Sequence, residues 1–248
     1  MLGKDISFES PEENILYDEL LLQLAEEGKL PETLRFWESP ITFVVLGRIS
    51  KAADDLNIAS IKKDRIKVLR RASGGGTVLQ GKGSLNYTLI LSKETPPMRD
   101  LKRSYAFILG RMVEALKALS IAAAYYPISD IAFTDGQRKF SGNAQKRGRQ
   151  FIMHHGTLLI DFDLSLIEKY LAMPKDIPDY RKGRSHQDFV SNLNVERRQI
   201  KIAIKKAFGV QKEAHELNDL ERSRLSDLLR TKDIGVPIDT LFSNNIME

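Results

Sequence analysis

Apolar and polar positions divide the chain into two regimes: short alternating or β-branched runs over its first two thirds, helical spacing in its last third. Ser10-Pro11-Glu12-Glu13 reads as a capping box with proline at the first helical position. Leu16, Leu20 and Leu24 then recur on one face of the helix it opens, and Gly28 is placed to end it. Arg35-Phe36-Trp37, Thr42 to Leu46, Ile66 to Arg70, Ser84 to Leu91 and Gly156 to Asp161 are short, aromatic or β-branched, and read as strands. Tyr105, Ile108, Leu109, Met112, Leu116 and Leu119 predict a core-facing helix over 100–119. Ile131-Ala132-Phe133 and Arg138-Lys139-Phe140 flank Asp135-Gly136, a hairpin signal. Helical stretches follow around 164–171, 195–208 and 216–230. Strands early and helices late predict an α+β fold, a mixed, largely antiparallel β-sheet flanked by helices, rather than βαβ alternation. The 248 residues suit a single domain, 1–248, with a helical C-terminal part at about 195–248.

Composition narrows the chemistry. Lys plus Arg is 38 against 33 Asp plus Glu, a formal net charge of +5. The basic clusters, Lys146-Arg147-Gly148-Arg149, Arg181-Lys182-Gly183-Arg184, Arg197-Arg198 and Lys205-Lys206, are scattered, whereas a nucleic-acid binder concentrates its charge in a stripe. The expectation is no nucleic acid, and an anionic nucleotide or acidic protein instead. There is no cysteine, which excludes a disulfide framework, a cysteine zinc site and a thiol nucleophile. No apolar run reaches the roughly 18 residues of a membrane helix. Met1 to Glu12 is polar and acidic, unlike a signal peptide, so a cytoplasmic protein without a membrane partner is expected.

Arg71-Ala72-Ser73-Gly74-Gly75-Gly76-Thr77-Val78 is the most informative stretch. Three glycines between two strands let backbone N–H groups approach a ligand closely, and the arginine adds a forked donor. On spacing alone the glycines equally suit a flexible turn. Gly76 to Lys82 imitates the start of a P-loop, but the next residue is Gly83 rather than Ser or Thr, and strand follows instead of a helix. The second stretch is Lys139-Phe140-Ser141-Gly142-Asn143-Ala144. A lysine beside an apolar residue after a hairpin turn can point its ammonium into a cleft; it can also be an ordinary surface lysine. His154 and His155, adjacent on a strand, point to opposite faces, which makes them a poor joint metal site. With His186 and His215 distant in sequence, no structural metal is expected.

In combination these segments resemble the lipoate–protein ligases of the biotin/lipoate ligase superfamily. Asn14 to Glu19 looks like the family's opening helix, and Leu34 to Trp37 with Val45 to Arg48 like its first strand pair. Arg71 to Val78 is similar to its Arg-x-Ser-Gly-Gly-Gly-Ala-Val loop, Ser129-Asp130-Ile131 stands at its Asn-Asp-Leu, and Lys139 to Ala144 matches Lys-x-Ser-Gly-Ser/Asn-Ala. His154 to Leu159 and Val190 to Leu193 complete the series in order. The resemblance implies a class II biotin/lipoate ligase-like catalytic domain that uses ATP and magnesium to activate lipoate or octanoate as acyl-AMP. The acyl group then passes to a lysine of an acceptor lipoyl domain or glycine-cleavage H-like protein. Lys139 would be catalytic, touching the acyl carbonyl and the α-phosphate. Arg71, Ser73 and Gly74, Gly75 and Gly76 would cradle the lipoyl chain and phosphate. Thr77, Val78, Ser141, Ala144, His155 and Thr157 would line the adenylate pocket, and Trp37 would wall the apolar tail. Asp130 is a candidate for magnesium, whose ligands the sequence leaves unassigned.

Gln80 stands where the family usually has a histidine near the lipoyl pocket, and Ser84 where many members have Asn or Asp near the adenine; Asn86 fits the pattern. Many ligases carry a further small C-terminal domain after this unit; none is present here, so a separate accessory subunit is expected. Two readings compete with the ligase. An octanoyl- or lipoyl-transferase of the same superfamily works through a cysteine thioester, for which this sequence has no thiol. A non-catalytic homologue would hold an acyl nucleotide or a lipoyl domain.

Overall fold

A computed structural model of the chain describes residues 1–126, 129–135, 137–174 and 177–238. In chain order the elements are β1 (Leu2–Asp5), α1 (Pro11–Glu26), β2 (Thr33–Trp37), β3 (Phe43–Leu46), α2 (Ala52–Asp55), α3 (Ile58–Lys63), β4 (Lys67–Arg70), β5 (Val78–Gln80) and β6 (Ser84–Ser92). There follow α4 (Leu101–Lys117), β7 (Ala123–Tyr126), β8 (Asp130–Phe133), β9 (Lys139–Arg147), β10 (Phe151–Leu159), α5 (Ser165–Tyr170), α6 (His186–Phe189), α7 (Arg197–Ala207), β11 (Lys212–Ala214) and α8 (Asp219–Thr231). The large sheet runs β11-β1-β2-β6-β10-β9-β8-β7, and β4-β3-β5 form a small one. Among the described residues only β1 pairs in parallel within the large sheet, with β2 and β11; the remaining neighbours are antiparallel. The α+β expectation holds.

Alternation along β6 divides the large sheet into two faces. Leu85, Tyr87, Leu89 and Leu91 pack with Ile108, Leu109 and Met112 of α4 and Ile200 and Ile204 of α7. Ile90, on the opposite face, packs with Leu16, Leu20 and Leu24 of α1 and Leu225 of α8. Asn86 and Thr88 share that second face and open the cleft described below. α1 is capped by Ser10, whose hydroxyl accepts from the Glu13 N–H, and Gly28 follows its end at φ +71. Because the large sheet, α8 and the small sheet all close on it, α1 is buried nearly all round rather than along one stripe. Four strands lie outside the sequence reading. β1 falls in the polar N-terminal stretch, β5 follows the glycine loop directly, β7 joins the α4 core to the hairpin, and β11 is three residues long. The β8–β9 hairpin forms, although Gly136 of its turn lies outside the described residues, as do 239–248 of the expected helical C-terminal part.

Candidate functional site

An open cleft lies between the two sheets and α1. Its apolar wall is Ile15, Trp37, Val45 and Val78; its polar wall carries Gln80, Asn86, Thr88 and Thr157. The glycine loop and Lys139 meet across it.

Arg71 organises the loop from behind. Its Nη2 donates to the carbonyls of Gly74 and Gly76, each at 2.7 Å, its Nε donates to Ser73 Oγ at 2.9 Å, and its Nη1 donates to the Val45 carbonyl at 3.3 Å. A guanidinium spent on its own loop in this way shapes the cradle rather than reaching into it. Burial pushes it down to about 10, still protonated at neutral pH. Gly75 sits at φ +80, where a side chain would be strained, and faces the cleft. Thr77 ties the loop's far end to α2, donating to Asp55 Oδ2 at 2.5 Å.

Lys139 reaches the cleft because β9 carries a bulge. Ile131 pairs with Ser141 but Ala132 with Lys139, leaving Phe140 as the extra residue. Phe140 and Ser141 are therefore both buried away from the cleft, while Lys139 and Gly142, three apart, both line it. A Cβ on Gly142 would lie 3.1 Å from Lys139 Nζ, so only glycine lets the lysine lie across the strand. Lys139 Nζ pairs with Asp130 Oδ1 at 2.8 Å, and the Tyr180 hydroxyl donates to Asp130 Oδ2 at 2.7 Å. Burial and the Asp130 charge push the Tyr180 phenol far up, so it stays a donor.

Beneath the apolar wall is a buried network anchored on Asp18. Arg35 Nη1 donates to Asp18 Oδ1 at 2.6 Å; Trp37 Nε1 and Thr88 Oγ1 donate to Oδ2 at 3.2 and 2.7 Å. Burial would raise this carboxyl, but Arg35, His155 and Thr88 together hold it below its ordinary value. Ser73 Oγ, which accepts from Arg71, also shares a hydrogen bond with His155 Nε2 at 2.6 Å. The other ring nitrogen, Nδ1, faces Asp18 Oδ2 at 4.0 Å. Burial lowers the imidazole, Asp18 opposes that in part and Arg71 reinforces it; the net is below the usual value. His154 points the other way, as alternation requires. It packs against Tyr87 and Tyr105 and is pushed down to about 3 by burial. On the polar wall Gln80 donates to Thr157, Thr157 to Asn86 and Asn86 back to Gln80, at 2.7–2.9 Å.

Of the residues singled out by sequence, Trp37, Arg71, Gly75, Gly76, Thr77, Val78, Gln80, Asn86, Asp130, Lys139, Ala144, His155 and Thr157 line this one cleft. Ser73 and Gly74 lie behind the lining, as parts of the Arg71 scaffold. Ser141 faces away because of the bulge, and Ser84, one pleat beyond Asn86, is fully buried with its hydroxyl unpartnered. Sequence reasoning did not single out Asp18, Thr88, Tyr87 or Asn143. Asn143 lies inside the lysine motif, and Asp18 inside the opening helix, so both were in view as motif members without a role. Among the described residues no cluster of His, Cys, Asp or Glu could hold a metal ion, and no helix is long and apolar enough to cross a membrane.

Residues 10–211 match the family profile described as the lipoyl protein ligase A/B catalytic domain. The chain belongs to that family. A probable lipoate-protein ligase A of Mycoplasma pneumoniae is 29% identical over 162 residues, 65% of this chain and 46% of that protein. The octanoyltransferase LipM of Brevibacillus brevis is 26% identical, covering 90% of this chain and 92% of that one. This family member thus spans about half the length of its mycoplasmal ligase relatives and nearly all of the transferase. A bi-partite lipoate protein ligase of Thermoplasma acidophilum, studied with its E2 lipoyl domain, superimposes with a TM-score of 0.79 at 22% identity, covering 94% of this chain and 93% of its own. A lipoate-protein ligase A bound with ATP gives 0.75 at 21% identity, covering 94% and 96%. These likenesses establish the lipoate ligase fold.

Proposed function

We propose that this family member is an ATP-dependent lipoate–protein ligase, which converts lipoate or octanoate to acyl-AMP and passes the acyl group to a lysine of an acceptor domain. The observation that carries the reading is the meeting of Lys139 and the glycine loop across one cleft with an apolar wall. When the acyl carboxylate attacks the α-phosphorus, pyrophosphate leaves and negative charge grows on the phosphoryl oxygens. A fixed ammonium there stabilises it. Asp130 holds Lys139 until an anion competes for it. Ile15, Trp37, Val45 and Val78 form the apolar surface for the acyl tail. The donor set does not fit a resident magnesium. Asp18 already accepts from Arg35, Trp37 and Thr88, Asp130 stands without a second carboxylate or histidine beside it, and no group of three His, Cys, Asp or Glu among the described residues could hold the ion. Magnesium therefore belongs to the nucleotide, as MgATP.

The near full-length match to LipM supports a second reading, cofactor-free acyl transfer. Transfer through a thioester needs a thiol, and the 248 residues contain none. The deciding assay supplies lipoate or octanoate with MgATP in one arm and an octanoyl carrier protein without ATP in the other, each with an unmodified E2 lipoyl domain. Acyl-dependent pyrophosphate release and acyl-AMP by mass spectrometry are expected in the first arm. Transfer in the second arm alone overturns the ligase reading, and acyl-nucleotide binding without turnover makes the chain a binding homologue. Adding an accessory polypeptide tests whether transfer, as distinct from adenylation, needs a second subunit.

A further inference from the structure

The rim of the cleft beside the glycine loop is built in an unusual way. Residues 47–51, between β3 and α2, are pinned from beneath: Arg70 Nη1 donates to the carbonyls of Gly47, Arg48 and Ser50 at 2.8, 3.3 and 2.8 Å. The Arg48 N–H donates to the Ser73 carbonyl at 2.8 Å, and the Ser50 N–H to the Gly47 carbonyl at 3.1 Å. Gly47 lies so close to the glycine loop that a Cβ there would sit 1.9 Å from the Gly75 carbonyl oxygen. Rim loop and cradle are thus tied to each other by a backbone hydrogen bond and by close packing. Yet its tip, Ile49, is 79% exposed, more than any other large hydrophobic side chain among the described residues. Exposed Arg48 and Lys51 flank it.

An isoleucine presented to water on a loop held by five hydrogen bonds does nothing for the fold, while a rigid loop gives up little entropy on association. Apolar contact supplies binding energy, and flanking cations supply orientation and select an anionic partner. A lysine side chain is short beside the domain that carries it, so an acceptor domain must lie against the mouth of the cleft for its lysine to enter, and this loop stands at that mouth beside the glycine loop. We propose that the Arg48–Lys51 loop is the docking contact for the acceptor. The partner is an acidic domain that lays an apolar side chain on Ile49 and carboxylates on Arg48 and Lys51. The proposal rests on the ligase reading, because an enzyme with a protein acceptor needs such a contact and a small-molecule enzyme does not.

The test separates the two half-reactions. The wild type, Ile49→Asp, and the double variant Arg48→Glu with Lys51→Glu are compared, with Ile202→Asp as a control on an exposed isoleucine remote from the rim. Three readouts are taken: acyl-dependent pyrophosphate release, transfer to an unmodified E2 lipoyl domain, and calorimetric affinity for that domain. The expected result is pyrophosphate release within twofold of wild type in every variant. Transfer and affinity should fall tenfold or more in both rim variants, and the double variant should lose the salt dependence of docking. Transfer and affinity within twofold of wild type in the rim variants, or an equal loss in Ile202→Asp, overturns the proposal. A wild type that releases no pyrophosphate but whose domain affinity falls with Ile49→Asp overturns the ligase reading and leaves the docking face standing.

Discussion

Lys139→Ala removes an ammonium whose side chain is 29% exposed and paired with Asp130 at 2.8 Å. Two magnitudes follow, and they differ widely. For a partly exposed pair the loss of stability is about 0.2–1 kcal/mol. Asp130 is not stranded, because the Tyr180 hydroxyl stays on it at 2.7 Å. At about 2–4 °C per kcal/mol for a chain of this size, the midpoint of thermal unfolding falls by no more than about 4 °C. Adenylation should suffer far more: losing one preorganised donor to a developing anion costs about 10²–10³ in rate, about 2.7–4 kcal/mol. The assay pairs calorimetric unfolding with acyl-dependent pyrophosphate release under saturating MgATP and lipoate. A rate loss below about tenfold, 1.4 kcal/mol, would refute the catalytic assignment. A large loss of both rate and stability would show instead that the lysine holds the β8–β9 hairpin together.

The other residues of the cleft make separable predictions. Arg35→Leu strands the Asp18 carboxylate and the Ile6 and Asn14 carbonyls, so urea unfolding should show a loss of about 3–5 kcal/mol. Because Asp18 is held below its ordinary value when folded, its contribution is complete above the unfolded value, near 4, and drains as pH falls through the folded one. The stability gap between wild type and Asp18→Asn should thus be constant from about pH 6 to 8 and shrink below about pH 4; a gap that widens on acidification contradicts the assignment. Gly75→Val places a β-branched side chain at φ +80, 3.1 Å from Arg71 Nη2, and should abolish acyl-nucleotide binding in calorimetry. Tyr180→Phe keeps the stacking on Tyr126 and Phe189 and removes only the hydroxyl from Asp130. Unfolding should be nearly unchanged while KM for ATP rises, since Asp130 then holds Lys139 more tightly against the phosphate; an unaltered KM would count against that reasoning.

Periodicity carried most of the fold. The face of α4, the strands β2, β3, β4 and β6 and the opposite orientations of His154 and His155 all follow from spacings of 3.6 and 2. Alternation also breaks at Ser141, which the family resemblance had placed in the pocket. A strict period of two puts Lys139 and Ser141 on one face, and the bulge at Phe140 exchanges Ser141 for Gly142. Nothing in a lone sequence announces that extra residue. The Asp18–Arg35 pair was hidden for a different reason: its members lie 17 residues apart on different elements, and only packing α1 across β2 brings them together. Arg71 was legible as part of the site, but its direction was not, since a guanidinium can turn toward a ligand or toward its own loop. The short strands β1 and β11 earn their conformation from pairing partners far away in the chain, which local propensity cannot register.

Those two strands also set the order in which the molecule can assemble on a ribosome. β1 lies between β2 and β11, and Lys4, 2% exposed, is neutralised by Glu221 of α8 at 2.8 Å. β1 is therefore satisfied only once a segment some 217 residues later has been made. Until then the nascent chain carries an open sheet edge and a lysine with no counter-charge, the condition under which strands pair with the wrong neighbour. The residues that match the family profile, 10–211, leave out β1 itself, β11 and Glu221. Cut at those limits, the protein would keep its whole cleft and lose the clasp that closes its sheet.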